Sequence, residues 1–251
     1  MRKAAARAMF RPMGSAVQAE KDRQTPGSGP DFRHVTEWIF DLDNTLYRAD
    51  NGIFAQIEAR MTDYVMAFLK LPREDAYARQ KDLYRRHGTT LNGLMREHGA
   101  APDEYLHYVH DIDLSDLDPD ALLTAALEKL PGRRFVFTNG CRDHAARILD
   151  RLGMAHLFAD VWDIRTMGFA PKPEAPAYES VVAAGGVACQ NAAMFDDIAR
   201  NLVPARKLGM TTVWLKSDSP WGKHGPLMDV STGDIDHETD NLTQFLQSIR
   251  I

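Results

Sequence analysis

The sequence predicts an α/β protein: a parallel sheet with helices on both faces and a helical module inserted after the first strand. Three observations carry that prediction. Five short apolar runs recur, Glu37–Phe40, Arg134–Phe137, Asp160–Ile164, Ala192–Phe195 and Thr211–Leu215, each rich in aromatic or β-branched residues. Four of them are followed by a helix-like segment, and strands alternating with helical patterns indicate βαβ units. The first two runs are far apart: Asp41 and Thr138 are separated by 97 positions, whereas a simple βαβ unit takes on the order of 30 residues.

The surplus reads as five helices, Ile53–Leu71, Arg73–His87, Leu91–His98, Pro102–His110 and Pro119–Leu130, punctuated by Pro72, Gly88, Gly99 and Pro119. A module inserted just after the first strand hangs over that strand's carboxyl end, where a lid belongs. The expected division is therefore a cap over 52–130, a core over 35–51 and 131–251, and a flexible tail over 1–34. Within the core, Asp143–Leu152 puts Ala146, Leu149 and Leu152 on one stripe, and Gly153 can close the helix. Pro176–Ala184 and Pro204–Leu208 read as further helices, the second stopping at Gly209. Asp240 is placed to cap a last helix that buries Leu242, Phe245, Leu246 and Ile249.

Composition narrows the class. The chain has 251 residues, 44% hydrophobic and 26% charged, close to soluble globular averages. No run approaches the roughly 18 apolar residues of a membrane span. A net charge of -5 argues against broad binding to nucleic-acid polymers. Two cysteines, Cys141 and Cys189, make neither a disulfide framework nor a zinc pattern, so a reducing, cytoplasmic setting is expected. Residues 1–30 are Arg- and Ala-rich and end in TPGSGP, a linker composition. A mobile tail is the first reading and a transit peptide the second. Ser217–Pro226, with Trp221, reads as a flexible loop.

In parallel sheets ligands sit beyond the carboxyl ends of the strands, so the residues that end each run carry the functional argument. The first run ends in Asp41 and Asp43, the second in Thr138-Asn139-Gly140, and the fourth in Asp196-Asp197, with Asn201 four residues further on. Lys172 lies between two prolines ahead of the fourth run. Taken singly, each is an ordinary turn or cap. Together, at one sheet edge, they suit a phosphate and a hard cation. Asp41 and Asp197 can offer carboxylate oxygens to Mg²⁺, with Asp196 or Asn201 in support. Asp41 and Asp43 share a face: one carboxylate can attack phosphorus while the other handles protons. Thr138 and the backbone N–H groups after it suit phosphate oxygens at a helix start, and Lys172 offsets the phosphoryl charge.

This order of elements resembles the haloacid dehalogenase superfamily of aspartate-nucleophile phosphohydrolases, over roughly residues 36–250. Asp41-x-Asp43-x-Thr45 looks like its first motif, Phe137–Gly140 its second, Lys172 its third and Asp196-Asp197 with Asn201 its fourth. The resemblance implies a Rossmann-like core with a helical cap. It assigns Asp41 as nucleophile and Asp43 as general acid/base, with Thr138, Asn139 and Lys172 on the phosphate. Mg²⁺ would be held by Asp41, the Asp43 backbone carbonyl and Asp197, assisted by Asp196. The fourth motif departs from the family's usual form, with Asp196 where Gly is common and Asn201 at the position, four residues after Asp197, often held by Asp. Residues 92–98 (NGLMREH), 109–115 (VHDIDLS), 130–139 and 194–197 are similar to the pyrimidine 5′-nucleotidase branch, which implies UMP and CMP as substrates. A sugar-phosphate phosphatase or phosphomutase is the alternative, and a non-catalytic binding module the third reading. Asn92, Arg96 and His110 are the expected cap contacts to substrate. His107, His110, Asp111 and Asp113 read as a polar helix end rather than a metal site, and Cys141 as a small buried residue.

Overall fold

The computed structural model describes residues 29–48, 51–216, 230 and 233–251. The expected tail over 1–28 and the loop at Ser217–Pro226 lie outside the described residues. Among the described residues six strands form one sheet: β1 (Glu37–Phe40), β2 (Arg133–Phe137), β3 (Asp160–Trp162), β4 (Ala192–Asp196), β5 (Thr211–Leu215) and β6 (His237–Thr239). Their order is β3-β2-β1-β4-β5-β6, and each neighbouring pair is parallel. The five expected strands are present within two residues of their predicted ends. The third stops at Trp162 rather than Ile164, and β6 escapes prediction because HET carries no apolar signal.

Parallel strands buried on both faces read as continuous apolar runs. In β1 the side chains alternate between two cores. Trp38 and Phe40 enter one with Val136, Phe195 and Val213, and Ile39 enters the other with Phe135, Phe137 and Met194. The Phe40 and Phe195 rings stack with centroids 4.7 Å apart. The first core is covered by α6 (Arg142–Leu152) and α9 (Leu242–Ser248), and the second by α7 (Ala175–Gly185) and α8 (Ala199–Lys207). Among the described residues no helix is long and apolar enough to cross a membrane.

Among the described residues five helices separate β1 from β2: α1 (Ile53–Leu69), α2 (Arg73–His87), α3 (Thr90–His98), α4 (Pro102–Val109) and α5 (Ala121–Glu128). Local chemistry sets their ends. Lys70 closes α1 in the left-handed region, the Thr89 side chain accepts from Asn92 N at the start of α3, and Asp120 accepts from two backbone N–H groups of α5. Helices α1 to α4 pack on one another, whereas α5 packs on α9 through the first core. The roof over the sheet edge is thus built by α1–α4.

Four local expectations need correction. The α6 stripe is His144, Ala145, Ile148, Leu149 and Leu152, while Ala146 is exposed; the packing side chains recur at i, i+4 with neighbours, and the alanine falls outside that arc. Helix α8 starts at Ala199, so Pro204 lies inside it. Asn241, not Asp240, caps α9, its side chain accepting from Gln244 N at 3.0 Å. The tail expected over 1–34 ends too late. Asp31 bridges Arg250, Phe32 N donates to Arg250 O at 2.8 Å, and the fully buried Phe32 ring lies on Trp38 and edge-on to Phe245.

That packing makes a clear prediction. Phe32→Ala should destabilise the protein by about 3–5 kcal/mol, the usual cost of emptying a phenylalanine site. Urea unfolding measures it, and an unchanged midpoint would show that this segment is not part of the core.

Candidate active site

The sheet order reverses at β1, which is flanked by β2 and β4, and open parallel sheets bind ligands at such a switch point. Register aligns the three strand ends: Phe40 pairs with Val136 on one side and Phe195 on the other. Asp41 therefore emerges beside Asp196, and its backbone N–H still donates to Phe195 O at 2.9 Å. The chain then turns at once, with Leu46 N reaching Leu42 O at 3.0 Å and Asn44 at φ 63°. This tight turn keeps Asp43 over the same edge. Carboxylate oxygens of Asp41, Asp196 and Asp197, all buried, lie within 4.8 Å of one another.

Lys172 enters this cluster from the loop between β3 and α7. It is 2% exposed, and its Nζ donates to Asp41 Oδ1, Asp196 Oδ2 and Phe137 O, each at 2.7 Å. All three ammonium hydrogens are thereby used. Asn139 holds the loop in place: its Oδ1 accepts from Lys172 N at 2.8 Å and its Nδ2 donates to Lys172 O at 3.2 Å. Thr138 is buried, its Oγ1 accepting from Gly140 N at 2.9 Å. Asp196 has both oxygens engaged, Oδ1 by Ile198 N at 2.9 Å, Oδ2 by Lys172, and both by Asn201 Nδ2.

One ammonium among three buried carboxylates leaves excess negative charge. Burial pushes the Asp41 carboxyl up to about 7 against the pull of Lys172, with Asp196 adding to the rise. Burial likewise holds Asp197 well above the carboxylate range, reinforced by Asp41 and Asp196. Lys172 moves the other way: burial opposes its charge, but Asp196 and Asp41 outweigh it and raise the ammonium. Asp197 Oδ2 is buried with no hydrogen-bond partner. An unpartnered carboxylate oxygen within a negative, oxygen-only cluster fits a hard divalent cation.

Asp43 sits in a different setting. Its Oδ1 accepts from Tyr47 OH at 2.5 Å and faces His144 Nε2 at 2.9 Å. Burial pushes this carboxyl up, but His144 and Tyr47 outweigh it and hold it below the usual range. Asp41, Asp43, Thr138, Lys172 and Asp197 line the floor of a cavity of about 130 Å³. Its roof comes from α1 to α4 and includes Phe54, Met61, Tyr84, Leu91, Tyr105 and Val109, with His110 just past the end of α4.

Comparison with known proteins gives the family and the fold. Residues 39–209 match the family described as haloacid dehalogenase-like hydrolase. The chain belongs to the haloacid dehalogenase-like hydrolases. It is 26% identical over 216 residues to Phosphate metabolism protein 8 of Saccharomyces cerevisiae, covering 79% of this chain and 66% of that protein's length. In fold it is similar to a HAD phosphatase from Thermococcus onnurineus, with a TM-score of 0.56 and 17% identity over 86% of this chain and all of that one. It is also similar to YfnB of Bacillus subtilis, a HAD-hydrolase bound to magnesium, with a TM-score of 0.53 and 16% identity over 85% and 97% of the two chains. A dehalogenase, the L-2-haloacid dehalogenase of Xanthobacter autotrophicus, has the same TM-score of 0.53 at 12% identity, over 85% and 97%.

In this haloacid dehalogenase-like hydrolase the seven residues singled out from sequence converge at one sheet edge, in two layers. Asp41, Asp43, Thr138, Asn139, Lys172 and Asp197 line the cavity, whereas Asp196 lies fully buried beneath it. Asn139 is drawn onto the Lys172 backbone, and Asn201 turns its amide to Asp196. Two expected cap contacts are misplaced. Asn92 and Arg96 share the α3 face turned to Glu174, where Asn92 Nδ2 reaches Glu174 Oε1 at 3.3 Å and Arg96 approaches Oε2 at 3.7 Å. They line a separate groove with Met95 and Phe169; only His110 of the three reaches the cavity over Asp41. The His107–Asp113 stretch binds within the protein instead of gathering, Asp111 pairing with Arg60 and Asp113 with Ser115. Cys141 is buried, with Sγ 3.3 Å from His110 Nδ1.

Sequence reasoning missed Tyr47, His144 and Arg200. Tyr47 stands one helical turn after Asp43, and His144 lies on the buried α6 stripe; both spacings are visible in the sequence, but neither names its partner. Arg200 is buried at the start of α8 and donates to the Tyr84 hydroxyl of α2, its guanidinium 5.5 Å from that ring.

The ammonium at the centre can be tested directly. Lys172→Met leaves Asp41 and Asp196 buried without their counter-charge, so stability should fall by about 3–5 kcal/mol. Urea denaturation in EDTA at neutral pH reads this loss; wild-type stability in the variant would mean that the carboxylates do not depend on Lys172.

Proposed function

We propose that the chain is a Mg²⁺-dependent phosphatase with Asp41 as nucleophile, hydrolysing pyrimidine nucleoside 5′-monophosphates such as UMP and CMP to nucleoside and phosphate. The observation that carries this reading is the Asp43 carboxylate beside Asp41. Tyr47 and His144 occupy its Oδ1 while the residue lines the cavity, which leaves Oδ2 for a leaving-group oxygen. A departing alkoxide needs a proton; the halide released by a dehalogenase does not. An acid two residues beyond the nucleophile therefore favours phosphate esters, and the yeast relative's name, phosphate metabolism, points the same way.

Each proton has a place in this scheme. Asp41 keeps one oxygen on Lys172 and attacks phosphorus with the other. Asp43, which His144 and Tyr47 hold as a carboxylate in the free protein, takes up a proton from solvent when substrate binds. The bond from phosphorus to the leaving oxygen then breaks as Asp43 passes that proton to it, and phosphate stays bonded to Asp41. Asp43, now a carboxylate, takes a proton from water as the water oxygen bonds to phosphorus. The Asp41–phosphorus bond then breaks, releasing phosphate and restoring both side chains. Thr138 and Lys172 offset the charge on the phosphoryl oxygens. Mg²⁺ held by Asp41, Asp197 and the Asp43 carbonyl, with Asp196 beside them, would supply further electrostatic stabilisation of those oxygens.

The roof favours a base over a sugar. Phe54, Met61, Tyr84, Tyr105 and Val109 present mostly apolar and aromatic surface, with Thr89 and Thr90 as polar exceptions. A flat nucleobase matches such a surface, whereas the hydroxyls of a sugar phosphate would lose water and gain few partners. A sugar-phosphate phosphatase or phosphomutase would use the same core under a different roof. A non-catalytic role has no feature in its favour, since Asp41 and Asp43 are both retained. The two cysteines are unpaired, consistent with a reaction in the reducing cytoplasm.

Phosphate release from a panel of 5′-nucleotides and sugar phosphates tests this reading. Release should favour UMP and CMP, require Mg²⁺ and stop in EDTA, and Asp41→Asn should lower kcat by more than roughly 10⁴-fold. A preference for a sugar phosphate would discard the nucleotide reading and keep the chemistry. Full turnover by folded Asp41→Asn would discard the nucleophile.

A further inference from the structure

Asp43 is held by two side chains that none of the catalytic motifs includes. Tyr47 OH donates to Asp43 Oδ1 at 2.5 Å, and His144 Nε2 lies 2.9 Å from the same oxygen. The His144 side chain is fully buried. It stands behind Asp43 and outside the cavity lining, so it does not meet substrate. Its Nδ1 has no partner; the ring's one hydrogen bond goes to Asp43. A buried ring nitrogen left unpaired is uncommon and calls for a reason.

The imidazole is also held in orientation. Its ring stacks on that of His110, with centroids 4.3 Å apart and planes 15° from parallel. His110 is anchored in turn by its Nδ1, 2.9 Å from Leu106 O, and by Arg147, which donates to its carbonyl at 2.8 Å.

We propose that His144, together with Tyr47, is the positioning residue of Asp43, fixing Oδ1 with two donors so that Oδ2 alone faces the leaving-group oxygen. This inference rests on the reading of Asp43 as general acid and base. With both accepting directions of Oδ1 in use, a proton carried by Asp43 resides on Oδ2, toward the cavity. Without His144 the carboxylate keeps only the Tyr47 bond and can turn about it, and a misplacement of about 1 Å in a reacting group costs on the order of 10²-fold in rate.

The test compares two esters that differ in their need for an acid. One is UMP, or whichever alkyl phosphate the release panel favours; the other is p-nitrophenyl phosphate, whose nitrophenolate leaves unprotonated. The quantity is kcat/KM, which covers the steps up to departure of the leaving group and so isolates the acid role. His144→Ala should lower kcat/KM on the alkyl ester by roughly 10²-fold and leave that on the nitrophenyl ester nearly unchanged. Tyr47→Phe should act in the same direction with a smaller loss. His144→Gln, which keeps an N–H donor near the Nε2 position, should recover most of the activity on the alkyl ester.

Equal losses on both esters, or none on either, would overturn the positioning role. Asp43→Asn separates the acid assignment from the positioning role. If it discriminates between the esters and the His144 and Tyr47 variants do not, positioning fails and the acid assignment stands. If Asp43→Asn itself does not discriminate, the acid assignment fails and the inference goes with it. Should His144→Ala not fold, Tyr47→Phe, which removes one hydroxyl, decides the matter on the same two esters. Turnover of neither ester by the wild-type protein overturns both.

Discussion

The site depends on one buried ammonium. Lys172 Nζ, 2.7 Å from Asp41 Oδ1, Asp196 Oδ2 and Phe137 O, ties together the carboxyl ends of the three central strands. Burying a charge is costly unless every donor is met in good geometry, and here all three are. The geometry cannot be met in isolation. It needs β1, β2 and β4 in register, and it needs the loop before α7 to reach back over the sheet. Asn139 secures that loop with two hydrogen bonds to the backbone of Lys172. An asparagine expected to meet phosphate thus serves by fixing Lys172.

The same low-dielectric setting gives two carboxylates of one β1 turn different characters. Asp41 shares its lysine with other acids, and burial pushes it up to about 7. Asp43 has burial against it too, yet Tyr47 and His144 hold it down. Chemically identical side chains thus differ in proton affinity, and the raised group is the proposed nucleophile, the reverse of the usual pairing of a raised carboxyl with the acid role. A divalent cation beside Asp41 and Asp197 would favour their ionised forms, so the negative excess of the floor and the unpartnered oxygen of Asp197 form one feature. Helices α1 to α4 then roof the floor with largely apolar side chains, which strengthens every electrostatic interaction beneath.

Much of this was legible because strand ends are marked by abrupt changes in chemistry. The aspartates at 41, 43, 196 and 197 interrupt apolar runs, and Thr138 closes another. On a parallel sheet such interruptions all fall at the same edge. The helices from Ile53 to Val109 were readable from proline and glycine punctuation, although which of their faces looks into the site was not. Asn92 and Arg96 show why: helical spacing places them together, but only the approach of Glu174 determines what that face meets. Phe32 makes the same point, since a single aromatic after a linker-like stretch does not reveal the pocket formed by Trp38 and Phe245.

The sequence by itself determined the fold class, the order of the strands' functional ends and the identities of the carboxylates and lysine that share the site. These follow from local periodicity and from which residues stop each strand, and such signals are carried within a few positions of the chain. Tertiary structure alone decided the partners: His144 with Asp43 across 101 positions, Asn201 with Asp196, Arg200 with Tyr84, and α5 with α9 instead of the roof. A buried polar side chain takes whichever partner packing brings within hydrogen-bond range, and packing is a property of the whole assembled core that no local pattern encodes.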